Sequence, residues 1–96
     1  MLTANGWNVM QYAALVHMLA QVSGLEAGEL VHVIADAHIY DRHVPVVEEL
    51  ISRAPYEAPR LWLDPQITDF YAFTKTSLKL EGYRFHTLDQ PIPVAV

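Results

Sequence analysis

The sequence predicts a single α+β domain, and three observations carry that prediction. Its 96 residues suffice for one core, since a chain of this size buries about two-thirds of its unfolded surface. The residues are 52% hydrophobic and 18% charged, a balance too apolar for intrinsic disorder. A long apolar run of helical length, residues 9–22, is followed by a period-two segment, residues 29–40. We therefore expect a long buried helix packed on a mixed or antiparallel sheet.

The first predicted element is a helix over residues 9–22, with Asn8 as its N-cap and Gly24 as its C-terminal stop. The run is apolar on nearly every side, and its only polar side chains are Gln11, His17 and Gln21. A helix of that kind is expected to be buried all round. Either it occupies the centre of the core, or another chain supplies part of its cover.

The second predicted element is a strand over residues 29–40, where polar and apolar residues alternate. One face is purely apolar: Val31, Val33, Ala35, Ala37 and Ile39. The other face collects polar side chains towards its far end, where sites are commonly built.

The rest of the chain predicts shorter elements. A second helix starts near Pro45 and stops before Pro55, residues 61–63 form an edge strand, and residues 77–83 form a last strand. Residues 91–96 form an apolar tail that is too rich in proline for a helix.

Charge and cysteine content exclude several classes of function. The net charge of −5 has the wrong sign for a general grip on phosphate backbones, so no nucleic acid is expected as a partner. The absence of cysteine removes disulfides, thiolate metal sites and cysteine nucleophiles. No apolar stretch approaches the ~20 residues of a membrane span, and the first residues lack the pattern of a signal peptide. We expect a cytoplasmic protein with no membrane partner.

The candidate binding residues are Asp36, His38 and Tyr40, because a spacing of two along a strand aims three side chains the same way. His38 and Tyr40 can each donate or accept a hydrogen bond, which suits a sugar hydroxyl. The alternative is a polar cluster with only a packing role. Asn8 is likewise either a simple N-cap or an amide that reads a base edge.

A metal-dependent hydrolase built on His32, Asp36 and His38 is a further hypothesis, since these are ligand types of iron and zinc sites. Along a straight strand His32 and Asp36 would lie roughly 13 Å apart, at ~3.3 Å per residue. That distance is too long for one ion, so we assign no metal ligand.

Four segments, residues 7–18, 28–32, 36–40 and 93–96, resemble the C-terminal part of thymidylate synthase. The Asp-x-His-x-Tyr pattern of residues 36–40 and the closing Pro93-Val94-Ala95-Val96 are the most specific parts of the likeness. The resemblance implies the methylation of dUMP to dTMP, with 5,10-methylenetetrahydrofolate as co-substrate. The apolar helix and the apolar strand face favour association, either as a homo-oligomer or with a missing N-terminal portion.

The resemblance also implies a role for individual residues. Asn8 would hydrogen-bond the uracil edge, and His38 and Tyr40 would bind the 3′-hydroxyl of the deoxyribose. Trp7 would wall the folate pocket, with Ala4 and Tyr40 beside it. The tail, ending in the carboxylate of Val96, would close over the ligands and exclude water.

The sequence departs from the family at the chemistry itself. It has no cysteine to attack the pyrimidine, and the arginines that hold the nucleotide phosphate would precede Met1. Ile34 and Ala35 stand where the family usually has glycines. We therefore expect the C-terminal portion of a synthase-like fold, with no catalytic residue assigned and no turnover by this chain alone. The alternative is a non-catalytic module that associates with itself or with a partner.

Overall fold

A computed structural model describes residues 2–93 and has the α+β composition that the sequence predicts. Helix α1 spans Asn5–Ser23, helix α2 spans Val44–Ser52, and strands β1, Arg60–Leu63, and β2, Leu78–Glu81, form an antiparallel pair. Short 3-10 turns lie at Asp41–His43 and Phe70–Ala72. The prediction for the tail beyond Pro93, including Val96, concerns residues outside the described range.

Helix α1 is confirmed, but it starts earlier than predicted. Its N-cap is Ala4, no side chain caps it, and Asn8 lies inside the helix, donating its backbone N–H to Ala4. Asn8 is therefore not the N-cap, because the chain already turns helical at Asn5. Gly24 ends the helix as predicted, with φ 71° and an N–H directed at the carbonyls of Ala20 and Gln21.

The expected burial of α1 is not provided by the described chain. None of its residues is buried within residues 2–93, and Trp7 is 79% exposed. Among the helices, strands and 3-10 turns of the described chain, α1 contacts β1 and the Phe70–Ala72 turn, and its hydrogen bonds to more distant loops come from Asn5 and Gln21. These contacts leave several of its large side chains exposed. None of the helices that the structure describes is long and apolar enough to cross a membrane.

The strand predicted over residues 29–40 is wrong for the described chain. Residues 25–40 carry neither helix nor strand, and the backbone bends at residues 35–36. A strand requires a neighbour that accepts and donates its backbone hydrogen bonds, and β1 and β2 pair only with each other in the described part of the chain. Val33 on the predicted core face is accordingly 82% exposed.

The second half of the described chain packs on itself. In the pair, Leu61 lies opposite Leu80 and Trp62 opposite Lys79, which confirms both predicted strands with slightly shorter limits for the second. Helix α2 begins at Val44 with Pro45 in its first turn, as predicted. Within residues 2–93, the buried residues are His43, Val46 and Ser77.

The chain exposes much more surface than a compact domain of its mass. Its accessible surface is 7963 Å², against about 5,600 Å² expected for a folded monomer of this size. Its radius of gyration is 16.6 Å, against about 12.5 Å for a compact chain of the same length. Large apolar side chains are exposed in both halves of the described chain, for example Trp7 and Val33 in the first and Ile51 and Tyr71 in the second.

Candidate functional site

A groove of about 390 Å³ lies between the start of α1 and the extended segment. Three residues from the helix end and six from the extended segment line it: Ala4, Asn5 and Asn8, then His32, Val33, Ile34, Ala35, Asp36 and His38. The structure thus brings together residues that are about 30 positions apart in the chain. Ala4, Asn8 and His38, three of the predicted site residues, line this one groove.

The helix side of the groove presents amide groups. Asn5 is the first residue of α1, and Asn8 lies three residues later. Residues at this spacing lie on similar sides of a helix. The Oδ1 atom of Asn5 lies 3.2 Å from Nε2 of His32, so His32 donates through Nε2 and ties the extended segment to the helix. Asn8 lines the groove one turn further along the helix.

The opposite side presents His38 in a defined orientation. Its Nδ1 lies 3.0 Å from the backbone oxygen of Asp36 and 3.7 Å from the Asp36 carboxylate. A carbonyl only accepts, so Nδ1 carries the hydrogen. A neutral His38 therefore presents Nε2 as an acceptor, which is the partner that a ligand hydroxyl requires.

Tyr40 lies next to the groove rather than in its lining. Its ring centroid is 5.2 Å from that of His38, at an interplanar angle of 60°, and Tyr40 is 46% exposed. The predicted pair of His38 and Tyr40 is therefore in contact, although the two residues do not lie on a strand. Trp7 is outside the groove lining and 79% exposed. Val96 lies beyond the described residues.

The described residues hold no cluster of three potential metal ligands. His32 is engaged with Asn5 and His38 with Asp36, so the two histidines of the hydrolase hypothesis have separate partners. The groove offers hydrogen bonding to a neutral polar ligand instead: amides at one end, an oriented imidazole at the other, and the apolar surfaces of Val33 and Ile34 between them.

Two residues of this region were missed by the sequence reasoning. Asn5 joins the site because α1 begins three residues before the predicted N-cap. His43 is buried behind Tyr40, with ring centroids 5.4 Å apart in an edge-to-face arrangement. A histidine immediately before the Val44-Pro45 helix start was the available signal for the second residue.

Comparison with known proteins identifies one family. The thymidylate synthase family model matches residues 1–96. A thymidylate synthase of Clostridium beijerinckii is 49% identical over 82 residues, which is 83% of this chain and 31% of that protein. A thymidylate synthase of Bacillus mojavensis is 43% identical over 84 residues, covering 88% of this chain and 30% of that protein.

A solved structure agrees with the sequence comparisons. Thermostable thymidylate synthase A from Bacillus subtilis matches with a TM-score of 0.91 and 41% identity, over 98% of this chain and 34% of that one. The chain thus spans about a third of the length of the relatives it matches.

Proposed function

The chain belongs to the thymidylate synthase family, and we propose that it carries the nucleoside side of a dUMP site. The observation that supports this function is the shared groove, which gathers Asn8 from α1 and His38 from the extended segment. Asn8 faces the uracil edge in the proposal, and His38 with Tyr40 binds the 3′-hydroxyl. The cytoplasmic location expected from the sequence belongs to the same proposal.

The chemistry of the groove fits a deoxyuridine nucleotide. A carboxamide offers one acceptor and two donors, which match the N3–H and the carbonyl oxygens of uracil. His38 presents an acceptor at Nε2, because its Nδ1–H is used by the Asp36 carbonyl. The apolar side chains of Val33 and Ile34 line the groove between these polar groups, where a pyrimidine ring and a sugar expose their faces.

The folate side of the proposal rests on fewer contacts. Ala4 lines the groove, and the exposed indole of Trp7 lies three residues further along α1. In the proposal these residues contact 5,10-methylenetetrahydrofolate beside the nucleotide, and Val96 closes over both ligands. When bound, that co-substrate supplies the one-carbon unit and the hydride; the residues here contribute only binding surface.

We propose further that this chain alone does not turn over dUMP. Its sequence contains no cysteine, and a nucleophile is needed to saturate the pyrimidine double bond before C5 can accept a carbon. The measurement is the absorbance change of folate oxidation with dUMP and methylenetetrahydrofolate. A rate above that of a control without protein would contradict the proposal.

Ligand binding is the direct test of the proposed site. We would titrate the labelled chain with dUMP and record two-dimensional NMR spectra at each step. The backbone amide signals of Asn8 and His38 should shift more than those of α2. The variant Asn8→Ala should weaken binding about tenfold, the effect of one or two lost hydrogen bonds. Gln11→Ala, a change of the same kind in the next turn of α1, is the matched control and should leave the affinity unchanged.

A second candidate function is an assembly module, and the surface area favours it. The excess of about 2,400 Å² over a compact monomer is the size of one side of an extensive obligate interface. Exposed apolar side chains lie on α1 and the segment after it, including Met10, Tyr12 and Val31, and also in the second half, including Ile51 and Tyr71. Sedimentation velocity should therefore show association at micromolar concentration; a monodisperse monomer would count against this function.

A further inference from the structure

His43 makes a long-range hydrogen bond close to the groove. It is 6% exposed, and its Nε2 lies 2.7 Å from the backbone oxygen of Pro93, fifty residues away in the chain. The carbonyl can only accept, so His43 donates through an Nε2–H. A buried donor of this kind loses free energy when its acceptor moves away, and it therefore holds Pro93 in place.

A second contact fastens the same segment to α2. One carboxylate oxygen of Glu49 accepts a hydrogen bond from Arg53 at 2.6 Å, and the other accepts from the Nε2 of Gln90. The segment from Gln90 to Pro93 is thus joined to the described core at two points, His43 and Glu49. Of these, His43 is the buried one.

The ring of Tyr40 links His43 to the groove. The Tyr40 ring lies 5.4 Å from His43, at 72°, and 5.2 Å from His38, at 60°. His38 lines the groove. Three packed rings therefore connect the groove to the carbonyl of Pro93, and a displacement of Tyr40 changes the surroundings of the His43 ring.

We propose that His43 is a positioning residue that anchors the C-terminal segment at Pro93 and couples it, through Tyr40, to occupancy of the groove. The anchor stands on the geometry alone, and the coupling to a nucleotide rests on the proposed function. A ligand hydroxyl that binds His38 and Tyr40 fixes both rings. Fixing Tyr40 restricts His43 and so tightens the bond to Pro93.

The anchor is tested first on the unaltered full chain without ligand. Long-range ¹H–¹⁵N correlation spectra distinguish the two neutral histidine tautomers, and the Nε2–H form is expected for His43. A three-dimensional HNCO spectrum reads the Pro93 carbonyl carbon through the Val94 amide, and a downfield, hydrogen-bonded carbonyl is expected. An Nδ1–H tautomer at His43 would overturn the anchor.

Two substitutions separate the hydrogen bond from the bulk of the side chain. His43→Gln keeps an N–H donor near the position of Nε2, whereas His43→Asn keeps one only near Nδ1. The Pro93 carbonyl signal should stay downfield in the Gln variant and move upfield in the Asn variant. His86→Asn is the matched control, because the Nε2 of His86 also bonds a backbone oxygen, that of Ala54 at 3.1 Å, and its ring stacks on Tyr56. It should leave the Pro93 signal unchanged.

The coupling has one test without ligand and one with dUMP. Tyr40→Leu removes the intervening ring and should move the Pro93 carbonyl signal in the free chain. An unmoved signal would overturn the coupling, whatever the effect of dUMP.

With dUMP, a further Pro93 shift is expected in the unaltered chain and in His43→Gln, and its loss is expected in His43→Asn. Shifts at His38 without a shift at Pro93 would overturn the coupling and leave the proposed function standing. Shifts at neither residue would overturn the proposed function and the coupling to dUMP, while the tautomer still decides the anchor.

Discussion

Residues 2–40 and residues 41–93 differ in how far they bury their own side chains. The first region contains α1 and the extended segment and has no buried residue within its described limits. The second contains the strand pair and α2, and it holds His43, Val46 and Ser77, all buried. Yet the groove is lined entirely by the first region. The candidate site therefore lies in the region that has no buried residue within residues 2–40.

One polar side chain joins the two regions by hydrogen bonds, beside the contacts of α1 with β1 and with the Phe70–Ala72 turn. Gln21 on α1 donates through its Nε2 to the carbonyls of Asp64 and Ile67, at 2.8 and 3.0 Å. These bonds fix the helix against the loop that leaves β1, and through the helix they fix one wall of the groove. Substitutions in each region test this difference in burial.

The largest effect is expected for Gln21→Glu. The change keeps the shape of the side chain but replaces two donated hydrogen bonds with a carboxylate facing two carbonyls. The free energy of unfolding should fall by about 3 kcal/mol, from two lost bonds and the unfavourable contact that replaces them. Urea denaturation is the measurement, with Gln11→Glu on an exposed part of the same helix as control. Equal effects of the two changes would mean that Gln21 does not join the regions.

A somewhat smaller loss is expected for Val46→Ala in the self-packed region. Val46 is 3% exposed, and removing two buried carbon atoms costs about 2 kcal/mol, including the cavity that remains. Val33→Ala in the uncovered region is the matched control, since Val33 is 82% exposed, and it should change stability by less than about 0.5 kcal/mol. If the control costs as much as Val46→Ala, then residues 2–40 are covered in solution by a second copy of the chain.

The smallest of the stability effects is expected at the end of α1. Gly24 has φ 71°, a conformation that costs a side-chain-bearing residue about 1 kcal/mol. Gly24→Ala should therefore lower the free energy of unfolding by that amount. Gly28 does not share the positive φ and has open space around it, so Gly28→Ala should be neutral or slightly stabilising. A loss at Gly28 equal to that at Gly24 would show that backbone conformation is not the cause.

The sequence predicted the elements that depend on local signals. Gly24, Pro45 and the alternation around Leu78 and Leu80 each act within a few residues, and the helices and the strand pair they mark are present. The strand prediction for residues 29–40 was wrong. Alternation of polar and apolar residues indicates which faces a strand would have, but it does not indicate whether a neighbouring strand exists. The same limit applies to α1, whose apolar sides indicate that a cover is needed without supplying one.

The site was predicted in part, for a similar reason. The resemblance to the family named Asn8 and His38, which line one groove, and Tyr40, which packs beside it. Spacing along a strand had grouped Asp36, His38 and Tyr40 for a geometry that the segment does not have. Asn5 and His43 were missed, because their roles depend on where α1 begins and on a contact fifty residues away.

The central claim is that the uncovered region holds a deoxyuridine nucleotide in a defined direction. Intermolecular NOEs between dUMP and the isotopically labelled chain measure that direction. The uracil H5 proton should show NOEs to Asn8, and the sugar H3′ proton should show NOEs to His38 and Tyr40. The reverse pattern, or NOEs confined to residues 41–93 beyond Tyr40, would contradict the assignment of this groove.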